Sequence, residues 1–112
     1  MAKLTYRSYS RYAREAAELL GLMIRNARIE RDITVGDLAD RAGISRGLVH
    51  RIEKGELGSS IGAAFEVAAI GGLRLFEAEP TTLTRHLTME RDKLTLLPQS
   101  ARKGRMKVKD DF

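Results

Sequence analysis

The sequence predicts an all-α fold of about five helices, and three observations support this prediction. Aromatic residues make up 5% of the chain and Trp is absent, so the core has to be aliphatic and rich in Ala, which favours helices. Apolar residues recur at spacings of three and four along much of the chain. Ser or Thr precedes several of these segments and Gly follows them, as at helix starts and ends.

The first helix is predicted to begin after Ser10 and to continue to about Arg31, with Gly21 as a tolerated weak point or a kink. Residues 1–9 are polar and Ser-rich and are predicted to be flexible. Three tyrosines at three-residue spacing form a stripe that either packs against the protein's own body or contacts a partner. The tyrosines are Tyr6, Tyr9 and Tyr12.

Residues 34–55 predict two short helices joined by a tight turn. Thr34 caps the first helix, with Asp37 three positions later, and Gly43 ends it. Ser45 caps the second helix, and Gly55 follows its last residues. The second helix has an apolar face and an outward face rich in hydrogen-bond donors. This is the sequence form of a helix-turn-helix, whose second helix enters the major groove of DNA. The outward residues are Arg46, Gly47, His50 and Arg51.

Ser60 caps a fourth predicted helix, which Gly71 and Gly72 end. The alternation in residues 73–79 predicts a short strand that Pro80 stops. A lone strand leaves its backbone groups unpaired, so we infer that it pairs with the same strand of a second copy across a two-fold axis. Dimerisation is thereby assigned to Leu73, Leu75, Phe76 and Glu77.

The C-terminal third predicts one weak helix and a tail. The DNA-binding and dimerisation domain is predicted to span residues 10–80, and a short C-terminal helical segment spans residues 81–98. Within this segment residues 84–97 have a weaker helical pattern, which ends at Pro98. Residues 99–112 are basic and have too few apolar residues to fold alone, so they are predicted to be a disordered tail. The tail follows DNA phosphates, docks on a partner through Val108 and Phe112, or is solvated with neither role.

Composition excludes several classes of function. The net charge of +5 suits nucleic-acid binding but also serves solubility alone. With no Cys and two isolated histidines, His50 and His86, no metal or cofactor site is predicted. No phosphate-binding loop or nucleophile–base pair is present, so we do not expect an enzyme. No apolar run reaches the length of a membrane span, and the N-terminus lacks a signal-peptide pattern, so a cytoplasmic location is expected.

The stretch LGLMIRNARIERDITVGDLADRAGISRGLVHRIEKG resembles the DNA-binding domain of the Cro and phage-repressor type, the XRE family. The resemblance covers about residues 20–76 and implies a lambda-repressor-like fold. It also implies a buried ion pair between Arg28 and Glu53 that ties the first helix to the third. The alternative is two independent surface charges, although such side chains are rarely buried unpaired.

Members of this family usually carry Gln after the capping Thr, where it contacts phosphate, but this chain has Val35. The Val35 amide still donates at the helix N-terminus, while the side-chain contact is lost. Phosphate binding is therefore expected from Arg46, Lys54 and backbone amides.

Base reading is assigned to the exposed face of the second helix. Arg46 and Arg51 are candidates for reading guanine O6 and N7, and a solvated helix face is the alternative. Gly47 allows close approach of the backbone, and His50 contacts base or phosphate. The predicted DNA site comprises Thr34, Val35, Ser45, Arg46, Gly47, His50, Arg51 and Lys54.

The segment SIGAAFEVAAIGGLRLFEAEP resembles the HipB antitoxin branch of the family, as does a tail that ends in an aromatic residue, Phe112. This resemblance implies a homodimeric repressor that binds a palindromic operator, regulates its own operon and binds a HipA-type serine/threonine kinase toxin. A stand-alone XRE-family regulator without a toxin is the alternative. An RNA-binding or scaffolding role is a further alternative. It would be supported if the protein bound RNA of random sequence as tightly as it binds any DNA.

Overall fold

A computed structural model describes residues 8–76 and 79–98, and the described residues contain five helices and no strand. The chain divides into two compact units, Met1–Leu75 and Phe76–Phe112. The helices α1 to α4 lie in the first unit and α5 lies in the second. The prediction of an all-helical fold is confirmed for these residues. The helices are α1 Arg11–Glu30, α2 Val35–Ala42, α3 Arg46–Glu53, α4 Ile61–Ile70 and α5 Pro80–Leu96.

The helices of the first unit begin at the cap residues that the sequence indicates. In each case the side-chain hydroxyl accepts a hydrogen bond from the backbone N–H three residues later. The distance is 3.0 Å for Ser10, Thr34 and Ser45 and 3.2 Å for Ser60. Each cap satisfies a donor that the first helical turn leaves unpaired, which stabilises the helix by about 1 kcal/mol.

The first unit has one aliphatic core to which all four of its helices contribute. The four largest fully buried side chains are Ile24 of α1, Leu38 of α2, Val49 of α3 and Val67 of α4. Helix α2 packs against both α3 and α4, and α1 packs against α3. The Ala-rich composition therefore serves close helix packing. The buried core consists of Ile24, Ile33, Leu38, Ala39, Val49, Ile52, Val67 and Ala68.

Gly21 is the point of closest approach between α1 and α3. Helix α1 continues through this buried glycine without interruption. A Cβ atom at this position would lie 2.5 Å from the carbonyl oxygen of Glu53 and 2.6 Å from that of Ile52. From the sequence alone, Gly21 is predicted to be a weak point or a kink in the helix. In the structure, the absence of a side chain at Gly21 lets the backbones of α1 and α3 approach each other closely.

The predicted strand after α4 is wrong for the part that the structure describes. Residues 73–76 are coil followed by a turn, and the N–H of Leu73 donates to the carbonyl of Ala68 at 2.9 Å. Leu73 and Leu75 are half-buried and pack against the core of their own unit. The alternation of apolar residues arises because these two side chains cover the core, so it does not support pairing of strands between subunits. Phe76 is exposed, and Glu77 lies outside the described residues.

Helix α5 starts four residues earlier than the predicted position, at Pro80. Proline is favoured at the first position of a helix because its fixed φ suits the helix and its missing N–H would have no partner there. Pro80 thus starts a helix instead of ending a strand. Helix α5 has no buried residue. None of the described helices is long and apolar enough to cross a membrane.

Candidate nucleic-acid interface

A glycine in the left-handed conformation forms the turn between α2 and α3. Gly43 has a φ of 72° and nothing within 4 Å of the position of a Cβ atom, so backbone conformation alone requires glycine here. The next residue, Ile44, donates its N–H to the carbonyl of Ala39 at 3.0 Å. Ser45 then caps α3. Three residues, Gly43 to Ser45, therefore end α2 and start α3.

The two faces of α3 differ in burial as the sequence predicts. Val49 and Ile52 are buried, while Lys54, the C-cap residue, is exposed. The exposed face carries two guanidinium groups, an imidazole and one glycine without a side chain. Guanidinium groups are the usual donors to guanine in the major groove. The residues of this face are Arg46, Gly47, His50 and Arg51, and all four are exposed.

Arg46 lies over the first turn of α2. A Cβ atom on Gly36 would lie 2.9 Å from Nη2 of Arg46 and 3.2 Å from its Cζ. The side chain therefore places a positive charge beside a helix N-terminus, where unpaired N–H groups attract anions. The sequence indicates only that Gly36 weakens α2. Glycine inside a helix also marks close approach, and this signal could have identified the contact.

Arg51 forms an ion pair with Glu56, which the sequence did not predict. Its Nε lies 3.6 Å from Oε1 of Glu56, and the two side chains are 52% and 55% exposed. Exposed pairs contribute about 0–1 kcal/mol, so the guanidinium can leave Glu56 for another acceptor at small cost. Arg51 Nη1 would lie 3.5 Å from a Cβ atom on Gly47.

The start of α2 offers backbone donors and a hydroxyl, without a long side chain. Thr34 is exposed and accepts the N–H of Asp37 at 3.0 Å. Val35 is half-buried and packs against the core. This packing explains the apolar residue at a position where the family carries Gln. What remains for an anion here is the N–H groups of the first turn.

Arg28 and Glu53 form the ion pair that the family resemblance implies. Arg28 Nε donates to Oε2 of Glu53 at 2.7 Å and Nη2 donates to Oε1 at 3.1 Å. Nη1 donates to the carbonyl of Ile33 at 3.0 Å. The side chains are 11% and 5% exposed. The hydrogen bond with Glu53 raises the pKa of Arg28 above its already basic usual value. The pair thereby fixes the end of α3 to α1 and to the segment before α2.

Two predicted site residues belong to the tail. Val108 and Phe112 lie outside the described residues, so their role in partner binding stays a prediction. Within the described ranges, no group of three or more His, Cys, Asp or Glu side chains is arranged to hold a metal ion.

Comparison with known proteins agrees with this geometry. A family model described as Helix-turn-helix matches residues 24–77, a range that contains α2, α3 and α4. No match was found among curated proteins. The matched range also contains both members of the Arg28–Glu53 pair. Residues 24–77 thus match a helix-turn-helix domain of the XRE type, and this match supports a DNA-binding transcription regulator.

Proposed function

We propose that this regulator is a sequence-specific repressor that places α3 in the major groove of an operator. The observation that carries the proposal is the division of α3 into a buried apolar face and an exposed face with two arginines. The buried face holds the helix on the domain, so the exposed face approaches the groove as a rigid surface. Arg46 and Arg51 are then assigned different tasks.

Arg46 binds a DNA phosphate together with the N-terminus of α2. Its guanidinium lies over Gly36, so two sources of positive potential, the side chain and the helix N-terminus, converge at one place. Like charges repel, and a phosphate between them converts this repulsion into two attractions. Thr34 and the amide of Val35 lie at the same helix start and complete the phosphate site.

Arg51 reads a base, most simply guanine through O6 and N7. It is exposed in the last turn of α3, and its weak ion pair with Glu56 is easily exchanged for a bidentate contact. Gly47 lies beside Arg51 and has no side chain to keep the helix away from the groove. His50 adds a contact to base or phosphate, and Lys54 adds one to phosphate.

The repressor acts as a homodimer on a palindromic operator. One short recognition helix of eight residues brings only three or four side chains to base edges, too few to define a site in a genome. Two copies related by a two-fold axis address two half-sites about 34 Å apart and double the number of base contacts.

A selection from random double-stranded DNA tests this proposal, followed by affinity measurements at several salt concentrations. Arg51→Ala should weaken binding roughly 5-fold to 150-fold and relax the preference at one position of each half-site. Arg46→Ala should weaken binding to all sequences and lower the salt slope by about one counterion for each protomer. Arg91→Ala in α5 is the matched control, because it removes an exposed arginine outside the domain. Unchanged affinity and preference in Arg51→Ala would refute the assignment of base reading.

An autoregulating antitoxin of a HipBA-like system is the second candidate function. Its support is α4, which contains Phe65 and ends before Gly71 as in the resemblance to HipB. The strand that belongs to the same resemblance is absent from residues 73–76. Affinity capture of the full chain from its native host tests this candidate. Recovery of a HipA-like kinase encoded beside this chain supports the antitoxin, and its absence leaves a stand-alone regulator.

A further inference from the structure

Helix α1 carries a second apolar face that points away from the core of its own unit. The residues of this face alternate at spacings of three and four, the heptad pattern of a helix that packs along another helix. Four of the six are large apolar side chains, which are 46–83% exposed. On a helix of 3.6 residues per turn, they lie opposite the core-facing Leu20 and Ile24. We call this face the α1 seam: Tyr12, Glu15, Leu19, Leu22, Asn26 and Ile29.

We propose that the α1 seam binds the α1 seam of a second copy in antiparallel orientation, about a two-fold axis that passes between Leu19 and Leu22. In this register Leu19 faces the partner's Leu22 and Tyr12 faces the partner's Ile29. The two-fold axis repeats each contact, so the apolar residues of both copies are covered along about 26 Å of helix.

The two polar members of the α1 seam determine the register. The same alignment places Glu15 opposite the partner's Asn26, where the carboxylate accepts a hydrogen bond from the amide N–H. Arg11 Nε already contacts one oxygen of Glu15 at 3.2 Å, and the other oxygen is available. An antiparallel shift by one heptad would place Glu15 or Asn26 against a leucine. A parallel pair would place Glu15 against the partner's Glu15. Both alternatives bury a polar group or a charge without compensation.

The residues at the two edges of the α1 seam match in the same register. On one edge Glu18 lies beside the partner's Arg25. Because the two-fold axis repeats this contact, the dimer gains two ion pairs. On the other edge the small side chain of Ala16 lies beside the large side chain of the partner's Met23. Met23 is 40% exposed in the single chain. The edges are therefore complementary in charge on one side and in volume on the other.

This inference specifies the surface of the proposed homodimer and rests on that part of the proposed function. It requires no strand in residues 73–79 and does not depend on DNA binding. The oligomeric state is therefore measured without DNA, where a failure of operator recognition does not affect the result.

Sedimentation of the full chain over a wide concentration range is the first test. The wild type is expected to dimerise, and Leu19→Glu with Leu22→Glu is expected to be monomeric with unchanged helical circular dichroism, because both side chains are exposed. The control is Leu87→Glu with Leu94→Glu, which changes two exposed leucines of α5 and should leave the dimer intact. A monomeric wild type, or a dimer that survives the α1 change, would overturn the proposal.

A charge exchange tests the register and does not depend on removing the apolar contact. Glu18→Arg should raise the dissociation constant roughly tenfold, since two attractive pairs become repulsive. Adding Arg25→Glu in the same chain should restore the wild-type value. A double variant no better than the single one would refute the antiparallel alignment.

Disulfide cross-linking tests the direction, since the chain has no Cys of its own. Chains with Tyr12→Cys mixed with chains with Ile29→Cys should form an intermolecular disulfide under mild oxidation. Tyr12→Cys alone should not, because the two positions lie about 26 Å apart in an antiparallel pair. Cross-linking of Tyr12→Cys with itself and not with Ile29→Cys would indicate a parallel pair and contradict the proposal.

Discussion

The guanidinium of Arg28 binds the carboxylate of Glu53 through two hydrogen bonds, which join the C-terminal half of α1 to the last residue of α3. A third hydrogen bond joins Arg28 to the carbonyl of Ile33. Because neither side chain is more than 11% exposed, each charge depends on the other for compensation. Helix α3 is therefore oriented by a contact on its inner side, away from its exposed face.

Removal of one partner of this pair is expected to destabilise the domain strongly. Arg28→Ala should lower the free energy of unfolding by about 3–5 kcal/mol, since it leaves a buried carboxylate uncompensated. Urea denaturation measures this loss. Arg11→Ala, which breaks an exposed pair with Glu15, is the control and should cost less than about 1 kcal/mol. Equal losses of unfolding free energy in the two variants would mean that the buried Arg28–Glu53 pair is no more important for stability than the exposed pair.

The same pair has an expected dependence on pH. The pKa of Arg28 is raised in the folded state, so its contribution is fully present below the pKa of an unfolded arginine and is lost only as the pH rises through the folded value. The difference in unfolding free energy between wild type and Arg28→Ala should therefore be constant from neutral to moderately alkaline pH. A decline of this difference in that range would contradict the raised pKa.

Two glycines in helices should respond to the same substitution with opposite signs. Gly21→Ala places a methyl group within 2.6 Å of two carbonyl oxygens of α3 and should cost about 1–3 kcal/mol of stability. Gly62→Ala in α4 is the control, because the nearest atom to a Cβ atom at this position would be Ser60 Oγ, 3.8 Å away. It should stabilise the domain by about 0.5–1 kcal/mol through helix propensity. Thermal or urea unfolding of both variants shows whether the signs differ.

Local features of the sequence account for the predictions that the structure confirms. The caps at Ser10, Thr34, Ser45 and Ser60 involve hydrogen bonds over three residues, so their signals are complete within a short segment. The Gly43 turn is local for the same reason. The Arg28–Glu53 pair joins positions 25 residues apart, and only the family resemblance indicated it.

The wrong predictions come from patterns that two different structures satisfy. Alternation of Leu73 and Leu75 suits a strand and also a turn that covers a core, and only tertiary packing decides between them. A proline such as Pro80 is found both after the end of a strand and at the first position of a helix, so the residue alone does not distinguish the two. The contact of Arg46 with Gly36 joins two helices across a turn, so a reading of each helix alone misses it.

Gly36 is expected to influence DNA binding more than folding. In Gly36→Ala the new methyl group would meet the end of the flexible Arg46 side chain, which can move away at little cost. The free energy of unfolding should therefore stay constant or rise by up to about 1 kcal/mol through helix propensity. Operator affinity should fall several-fold, though less than in Arg46→Ala, because the guanidinium leaves the α2 N-terminus. Wild-type affinity in Gly36→Ala would show that the Arg46 position is not used in the complex.

Glu56 is expected to weaken operator binding through its ion pair with Arg51. Glu56→Gln removes a negative charge next to the proposed DNA-binding surface and releases the guanidinium, so affinity should rise by a few-fold, within the scale of about 1 kcal/mol for an exposed pair. Glu90→Gln in α5 is the control for the change in net charge and should leave affinity nearly unchanged. Fluorescence anisotropy with the selected operator gives both values. In the Arg51→Ala background, Glu56→Gln should lose most of its benefit, since no guanidinium remains to be released. If Glu56→Gln instead weakened binding in the wild-type background, Glu56 would hold Arg51 in its base-reading position, and the carboxylate would belong to the recognition surface.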